Sequence, residues 1–307
     1  KLMSNNSYDY RIKRFNTIKD TWQLDSLHEL LVYYSPREKD LYNLRFALML
    51  YISKALFFEF TSDEDEFISR LDNNFNQLDN VTPNGGVVPK KEYQLEYNLV
   101  LRSWSKIVKN MVKNDPSLIT KFRITPNIRI KFAQDIEENI NRTLSTSWPH
   151  SDAWVEGPWT MNCYFPVFGD VENNNLRFWT VKNNNEFSNK FLNNASTYEE
   201  MQWVLDYYEI NEKLKPIKNK IHLSDYALIH ATHREKGCGT RVSIDTTVCV
   251  GDHDVHQYRE KEYLANVSII GEDYFVSSNR SINDDFQSKK SLYSHYTTGS
   301  LKVHKCK

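Results

Sequence analysis

The chain has 307 residues, 40% of them apolar and 26% charged, a composition typical of a globular protein with a substantial core. Its 39 basic and 40 acidic side chains give a formal charge of −1, without the basic excess typical of nucleic-acid-binding proteins. The sequence has no apolar run of bilayer-crossing length, and its start, KLMSNNSYDY, has no signal-peptide centre. We therefore expect a cytoplasmic protein without nucleic-acid or membrane partners. The four cysteines form no C-x-x-C pair, which predicts free thiols.

About the first 120 residues follow a helical period. The stretch LDSLHELLVYYS places Leu24, Leu27, Leu31 and Tyr34 three or four residues apart. DLYNLRFALMLYISKALFFEF, which starts at Asp40, repeats the pattern with a wider apolar stripe. Both stretches are predicted to be helices that face the core.

A third helix is predicted in TSDEDEFISRLDNNFNQL. There Ser62 precedes Asp65 by three residues and acidic side chains fill the first turn, as in a capped helix start. The segment NVTPNGGVVPKK, with its prolines and glycines, then breaks the chain. After it, YQLEYNLVLRSWSKIVKNMVKN resumes the helical period.

Strand-like segments begin near residue 122. FRITPNIRIKFAQD is rich in β-branched and aromatic residues, and the same holds for WTMNCYFPVFGD, NLRFWTVK, KIHLSDYALIHATH and TRVSIDTTVCV. A helix is predicted between the third and fourth of these segments, at about residues 197–214. Helices followed by antiparallel strands predict an α+β fold, in which helices cover a sheet structure.

The stretch HSDAW places His150 and Asp152 two positions apart. Residues i and i+2 of a strand project to the same side, so an H-x-D pair near a strand end can chelate one ion. Two histidines and one carboxylate are the usual ligands of iron(II) oxygenases, which keep the remaining coordination positions open. An H-x-D pair also arises by chance as two polar loop residues, so a metal site requires a third ligand from elsewhere.

A candidate third ligand lies in DYALIHATHREKGCGTRVSID. His230 ends an apolar, strand-like run, a turn follows at Gly237 to Gly239, and Arg241 begins the next strand eleven residues after the histidine. This spacing would let the arginine point into the same cavity as the histidine. A guanidinium there can form a bidentate contact with the far carboxylate of a dicarboxylic acid whose other end chelates the metal.

These stretches carry a family resemblance. LIHATHREKGCGTRVSID, with PHSDAW upstream, resembles the iron(II)/2-oxoglutarate-dependent oxygenases, and more narrowly their phytanoyl-CoA-dioxygenase-like branch. HSDAWVEGPWTMNCYFPVFGDVENNNLRFW is similar to members from antibiotic and aminosugar biosynthesis, with an aromatic residue after the H-x-D and an Asn in the next strand. The resemblance covers about residues 122–250.

The resemblance implies a double-stranded β-helix, a jelly-roll or cupin-like barrel, with the N-terminal helices packed on its outer sheet. With the helical period of the N-terminal part, we expect one domain over residues 1–307, mainly helical over 1–120, with the barrel over 122–280. His150, Asp152 and His230 would be the catalytic metal ligands that hold Fe(II). Arg241 would anchor the cosubstrate, 2-oxoglutarate.

By the same likeness, Asn162 would hydrogen-bond the cosubstrate or line its pocket, and Trp154 would lie beside the metal on the substrate side. Strand alternation then turns Thr160 and Tyr164 inward with Asn162, so Tyr164 is a second candidate for substrate contact. The other side chains of this strand would face the opposite packing layer: Met161, Cys163 and Phe165. Asn162 and Trp154 can equally be packing residues.

The implied reaction uses dioxygen, releases succinate and carbon dioxide, and hydroxylates or otherwise oxidises a small-molecule substrate. Asp152 favours oxidation over halogenation, because related halogenases carry a small residue there. A sugar, nucleotide-linked sugar or natural-product intermediate is the expected substrate, ahead of a lipid-CoA thioester and of an amino acid or peptide. Two alternatives stay open: a catalytically silent barrel that acts as a binding module, and a cupin-like metal isomerase, which would not need Arg241.

Other histidines compete for the metal. His233 would leave only eight positions before Arg241 and falls in the turn, so His230 is favoured. His253 and His256 form an H-x-x-H in a polar loop that can collect metal but is more often a solvated turn. The remaining histidines are expected to be structurally neutral, one on an amphipathic helix and three in polar segments: His28, His222, His295 and His304.

Overall fold

The computed structural model describes residues 7–82, 84–119, 121–123, 125–133, 146–156, 160–250, 264–266, 273–284 and 301–307. Its α-helices within these ranges are α1 (Tyr8–Trp22), α2 (Glu38–Ala55), α3 (Glu64–Asn73), α4 (Gln94–Met111) and the short α5 (Ala153–Glu156). The predictions of helices in the stretches that gave α2, α3 and α4 are confirmed. Among the described residues, none of the helices combines the length and the apolar content that crossing a membrane requires.

The start of α3 differs from its prediction by one residue. Asp63, not Ser62, is the N-cap, and its carboxylate accepts a hydrogen bond from the backbone N–H of Glu66 at 2.8 Å. Both residue types cap helices well, so the sequence pattern alone did not discriminate between adjacent candidates.

The first predicted helix is wrong. Residues 24–34 form a β-hairpin of β1 (Asp25–His28) and β2 (Leu31–Tyr34). Its apolar spacing suits a helix, but the β-branched and aromatic end of the stretch also suits a strand, and tertiary pairing decides the outcome. The hairpin extends the main sheet because β2 pairs with a later strand. His28, expected on a helix, lies at the hairpin turn, where its Nδ1 accepts from Leu30 N–H at 3.1 Å.

Each segment predicted to be strand-like contains one or two strands, and every pairing between the described strands is antiparallel. The remaining strands are β3 (Lys121–Arg123), β4 (Asn127–Lys131), β5 (Thr160–Gly169), β6 (Asn174–Val181), β7 (Tyr208–Ile210), β8 (Ile221–Asp225), β9 (Ile229–Arg234), β10 (Arg241–Cys249), β11 (Leu264–Asn266), β12 (Tyr274–Ser278) and β13 (Leu301–Lys305). The main sheet has the order β1-β2-β8-β5-β10-β3-β11, with β4 also paired to β10. A smaller sheet has the order β7-β6-β9, and β12 pairs with β13. The fold therefore combines helices with antiparallel sheets.

Two connections carry the chain from the main sheet to the smaller one. The segment predicted as one strand over residues 220–233 is split into β8 and β9, which belong to different sheets. The other connection joins β5 to β6 through Gly169, whose φ of +79° suits glycine. A Cβ there would lie 1.9 Å from the carbonyl oxygen of Thr240, so no other residue fits this turn.

The helices pack against one face of the main sheet. Phe165 of β5 lies against Trp104 of α4 with ring centroids 6.0 Å apart, and Phe168 lies against Phe67 of α3 at 5.3 Å. Both α-helices contribute to one hydrophobic cluster with strands of both sheets. The opposite face of β5 is left for the polar side chains of the candidate site.

The segment predicted as an inserted helix between β6 and β8 has a different form. Residues Glu199–Asp206 form a 3-10 helix, and β7 follows and pairs with β6. The apolar positions Met201 and Val204 of this turn are buried, as a helical pattern requires, but the chain then extends to complete the smaller sheet.

Candidate metal centre

A backbone bridge holds the two ends of the candidate centre together. The N–H of His150 donates to the carbonyl of His230, and the N–H of His230 donates to the carbonyl of His150, both at 2.9 Å. Ser151, between His150 and Asp152, turns the other way and donates its hydroxyl to the Tyr226 carbonyl. This main-chain pairing fixes the starting points of the histidine side chains before any ion binds.

Three side chains converge on one point. The Nε2 atoms of His150 and His230 lie 3.7 Å and 3.5 Å from the two carboxylate oxygens of Asp152. The three donor atoms lie within 4.8 Å of one another, and within the described part of the chain this is the one cluster of at least three His, Cys, Asp or Glu that could hold a metal ion. Two donors bound to one ion at about 2.1 Å can be at most about 4.2 Å apart, so both measured distances suit a shared cation.

The histidines are prepared to act as neutral ligands. The Nδ1 of His150 lies 2.7 Å from the Trp148 carbonyl, so this nitrogen carries the proton and Nε2 keeps its lone pair toward Asp152. Burial lowers the pKa of both His150 and His230 to about 4. Both imidazoles are therefore uncharged at neutral pH, as metal coordination requires.

A buried guanidinium shares the cavity of these ligands. Arg241 is 2% exposed and lines a cavity of about 80 Å³ together with His150, Asp152 and His230. Its Nη1 donates to the hydroxyl of Tyr164, and among the described residues its Nε has no hydrogen-bond partner and no carboxylate forms an ion pair with it. A buried cation is costly unless it is paired, and the described residues supply no carboxylate partner for Arg241.

The structure brings two more predicted residues to the cavity. Asn162 and Tyr164 both line it from β5, while Met161, Cys163 and Phe165 lie in the hydrophobic cluster, in agreement with strand alternation. Tyr164 accepts from Arg241 and donates to the side-chain oxygen of Asn175 at 2.9 Å. Its hydroxyl is thus engaged with the guanidinium, a contact that the prediction of substrate contact did not include.

Sequence reasoning missed a charged pair in the same cavity. Asp245 of β10 pairs with Arg129 of β4 and accepts from the Asn127 amide at 2.7 Å. Burial would raise the pKa of Asp245, but Arg129 and Asn127 bring the pKa below its ordinary value. Asp245 follows Arg241 by four residues, so strand alternation could have identified it as an inward-facing side chain.

Trp154 lies outside the cavity lining. It is 1% exposed, and its indole N–H donates to the Phe191 carbonyl at 2.5 Å. The chain turns into α5 directly after Asp152, which rotates Trp154 away from the candidate ligands and into the core. Its place in the structure is that of a packing residue, the alternative that the sequence left open.

The competing histidines lie away from the centre. His233 is partly exposed and contacts the Glu235 carboxylate at 2.7 Å. His222, expected in a polar segment, is buried in β8, where its Nε2 accepts from Ile217 N–H at 2.9 Å. His304 contacts the Ser277 hydroxyl at 2.8 Å. The His253 and His256 pair and His295 lie outside the described residues.

Comparisons with known proteins give structural similarities only. No protein-family model matches the chain, and no curated protein matches it. Among solved structures, it is similar to the non-heme alpha-ketoglutarate-dependent epimerase SnoN from nogalamycin biosynthesis, with 10% identity, 77% of this chain and 81% of that chain covered, and a TM-score of 0.38. It is also similar to AviO1 from Streptomyces viridochromogenes Tue57, with 11% identity, 82% of this chain and 99% of that chain covered, and a TM-score of 0.40. A third similar structure is an N-substituted L-amino acid dioxygenase from Burkholderia ambifaria AMMD, with 12% identity, 72% of this chain and 82% of that chain covered, and a TM-score of 0.34.

Proposed function

We propose that the chain is an Fe(II)/2-oxoglutarate-dependent oxygenase. The observation that carries this proposal is the presence, in one cavity, of a His-Asp-His cluster and the buried guanidinium of Arg241. The cluster supplies two imidazole nitrogens and one carboxylate oxygen, the ligand set of non-heme iron(II) oxygenases. When bound, iron supplies the activation of dioxygen that accompanies conversion of 2-oxoglutarate to succinate and carbon dioxide.

In this proposal, each cavity residue has a physical task. His150, Asp152 and His230 hold the metal, and Arg241 binds the far carboxylate of 2-oxoglutarate by charge-assisted hydrogen bonds. Tyr164 orients the guanidinium by accepting from Nη1. Since the cavity is small and its basic and acidic groups are largely buried, it strengthens these electrostatic contacts by excluding water.

The proposed substrate is a small polar metabolite, such as a sugar, a nucleotide-linked sugar or a natural-product intermediate, and the reaction is hydroxylation or another oxidation. The support is that many side chains lining the cavity beyond the metal ligands carry hydrogen-bonding groups: Arg129, Lys131, Thr146, Asn162, Thr232, Ser243 and Asp245. Hydroxyl groups of a substrate can both donate to and accept from such side chains. Asn162 is proposed to contact the cosubstrate or to line its pocket.

The proposed architecture around the site is a double-stranded β-helix. Its support is that β5 and β10 of the main sheet and β6 and β9 of the smaller sheet all line the cavity. The hydrogen bond from Tyr164 of β5 to Asn175 of β6 joins the two sheets beside Arg241.

The test is anaerobic titration calorimetry with Mn(II) and then 2-oxoglutarate, followed by an aerobic assay of Fe(II)-dependent succinate release. We expect wild-type protein to bind Mn(II) and to bind 2-oxoglutarate only when the metal is present. His230→Ala should lose metal binding, whereas the matched control His233→Ala, on the same strand, should keep it. Metal binding without 2-oxoglutarate binding would favour a metal isomerase, and binding of neither would favour a binding module.

A further inference from the structure

The ring of His150 is stacked on an aromatic side chain from another part of the chain. The centroids of His150 and Tyr198 lie 4.1 Å apart, with an angle of 8° between the ring planes. Tyr198 is buried, and the ring of Trp154 also lies beside it, with centroids 6.0 Å apart. A candidate metal ligand is therefore in parallel contact with a residue 48 positions further along the sequence.

The segment that contains Tyr198, residues 191–202, is fastened to the main chain around the H-x-D motif. The side-chain amide of Gln202 donates to the carbonyls of Pro149 and Tyr198, both at 2.8 Å. On the other side of the motif, Ala195 N–H donates to the Trp154 carbonyl at 3.2 Å, and the Trp154 indole donates to the Phe191 carbonyl. These contacts hold the segment before and after the motif, so the motif and the segment form one unit.

The stack and the hydrogen bond of the imidazole restrict different motions. The contact of Nδ1 with the Trp148 carbonyl sets the direction of the ring in its own plane. The parallel stack on Tyr198 sets the plane itself, because tilting the imidazole would lose contact with the neighbouring ring. With both restrictions in place, the Nε2 of His150 has one direction, toward Asp152.

We infer that residues 191–202 are the platform that orients the metal-binding H-x-D motif, with Tyr198 as the positioning residue for His150. This inference rests on the proposed metal site and adds a residue that touches neither metal nor cosubstrate. Groups that orient a ligating histidine typically change metal affinity by 10- to 100-fold when removed. The platform thus makes metal affinity depend on a segment outside both of the sequence motifs of the site.

The experiment measures binding of Co(II), used alone as the probe, by titration calorimetry and by its visible absorption spectrum. Tyr198→Leu should raise the Kd for Co(II) about tenfold and change the Co(II) absorption band. Tyr198→Phe keeps the ring and should stay within about twofold of wild type. The matched control is Tyr93→Leu, since Tyr93 is likewise buried, packs against Tyr51 away from the platform and should leave the Kd unchanged.

Gln202→Met provides a second test that leaves the core intact. It removes the hydrogen bonds to Pro149 and Tyr198 and should raise the Kd for Co(II) about threefold. Wild-type Co(II) binding together with unchanged constants for the folded Tyr198→Leu and Gln202→Met variants would overturn the inference alone. Wild-type protein that binds no Co(II) would overturn the proposed function as well.

Discussion

Replacing Arg241 by Met separates the effect of the buried charge on the free energy of unfolding from its proposed effect on 2-oxoglutarate binding. The guanidinium is 2% exposed, and in the part of the chain that the structure describes it donates to one neutral hydroxyl while its Nε has no partner. Methionine fills a similar volume without a charge. Exchange of a buried charge for a packed apolar side chain is often neutral or stabilising, so we expect the metal-free variant to gain about 0–2 kcal/mol in the free energy of unfolding.

The effect on cosubstrate affinity has the opposite sign. Arg241→Met removes the charge-assisted hydrogen bonds that the free guanidinium donors are proposed to make, a loss of about 3 kcal/mol. This corresponds to a Kd for 2-oxoglutarate that is roughly 150-fold higher. At a 2-oxoglutarate concentration of 100 times the wild-type Kd, ligand stabilisation of about 2.7 kcal/mol should therefore fall to about 0.3 kcal/mol.

The assay is urea denaturation of Mn(II)-loaded protein with and without 2-oxoglutarate, together with calorimetric measurement of the Kd. Arg177→Met is the matched control, because Arg177 is paired with Glu235 at 2.6 Å and does not line the site cavity. It should leave 2-oxoglutarate binding unchanged. An Arg241→Met variant that binds 2-oxoglutarate like wild type would refute the assignment of Arg241 as the anion anchor. If the free energy of unfolding of metal-free Arg241→Met were lower than that of wild type by more than about 2 kcal/mol, the argument that the buried charge does not stabilise the metal-free protein would be refuted.

Three further predictions concern a tyrosine of the site, the start of α3 and a buried histidine. Tyr164→Phe removes the hydroxyl that accepts from the Arg241 guanidinium and donates to Asn175. It should lower the free energy of unfolding by about 1–3 kcal/mol in urea titrations and weaken 2-oxoglutarate binding several-fold. Wild-type binding and stability in this variant would contradict the prediction. Asp63→Ala should cost about 1 kcal/mol in the same titrations, whereas Ser62→Ala should be near neutral; the reverse order would make Ser62 the cap. Burial lowers the pKa of His222 from 6.5 to about 4. As the pH falls, the imidazole is therefore protonated in the unfolded chain before it is protonated in the folded protein. This should lower the free energy of unfolding by up to about 3 kcal/mol between pH 6.5 and 4. His222→Gln should flatten that part of the stability-against-pH curve, and parallel curves would exclude this role.

The sequence located the centre because its chemistry is local. His150 and Asp152 lie two residues apart, and His230 and Arg241 lie at the two ends of a strand-turn-strand unit, so short-range spacing carried most of the information. The same short range explains the strands of the main sheet, whose alternation is visible in β5. These features require no knowledge of which distant segments meet.

Three of the missed features depend on packing between segments. Leu31 has a helical spacing from Leu27, but pairing of β2 with β8 decides for a strand. Tyr198 has no motif, and only the folded chain shows that it stacks on His150. Trp154 follows Asp152 by two residues, yet the turn into α5 sends it to the core. Spacing along a chain does not encode these outcomes, because each is set by packing between segments.

The reciprocal hydrogen bonds between His150 and His230 use only main-chain atoms, so they persist when either imidazole is replaced. Variants without metal ligands should therefore keep the framework of the cavity, including Arg241. An inactive variant such as Asp152→Ala could then be incubated with metabolite mixtures and purified with any bound ligand. It would keep the residues that line the cavity but would not convert the ligand to product.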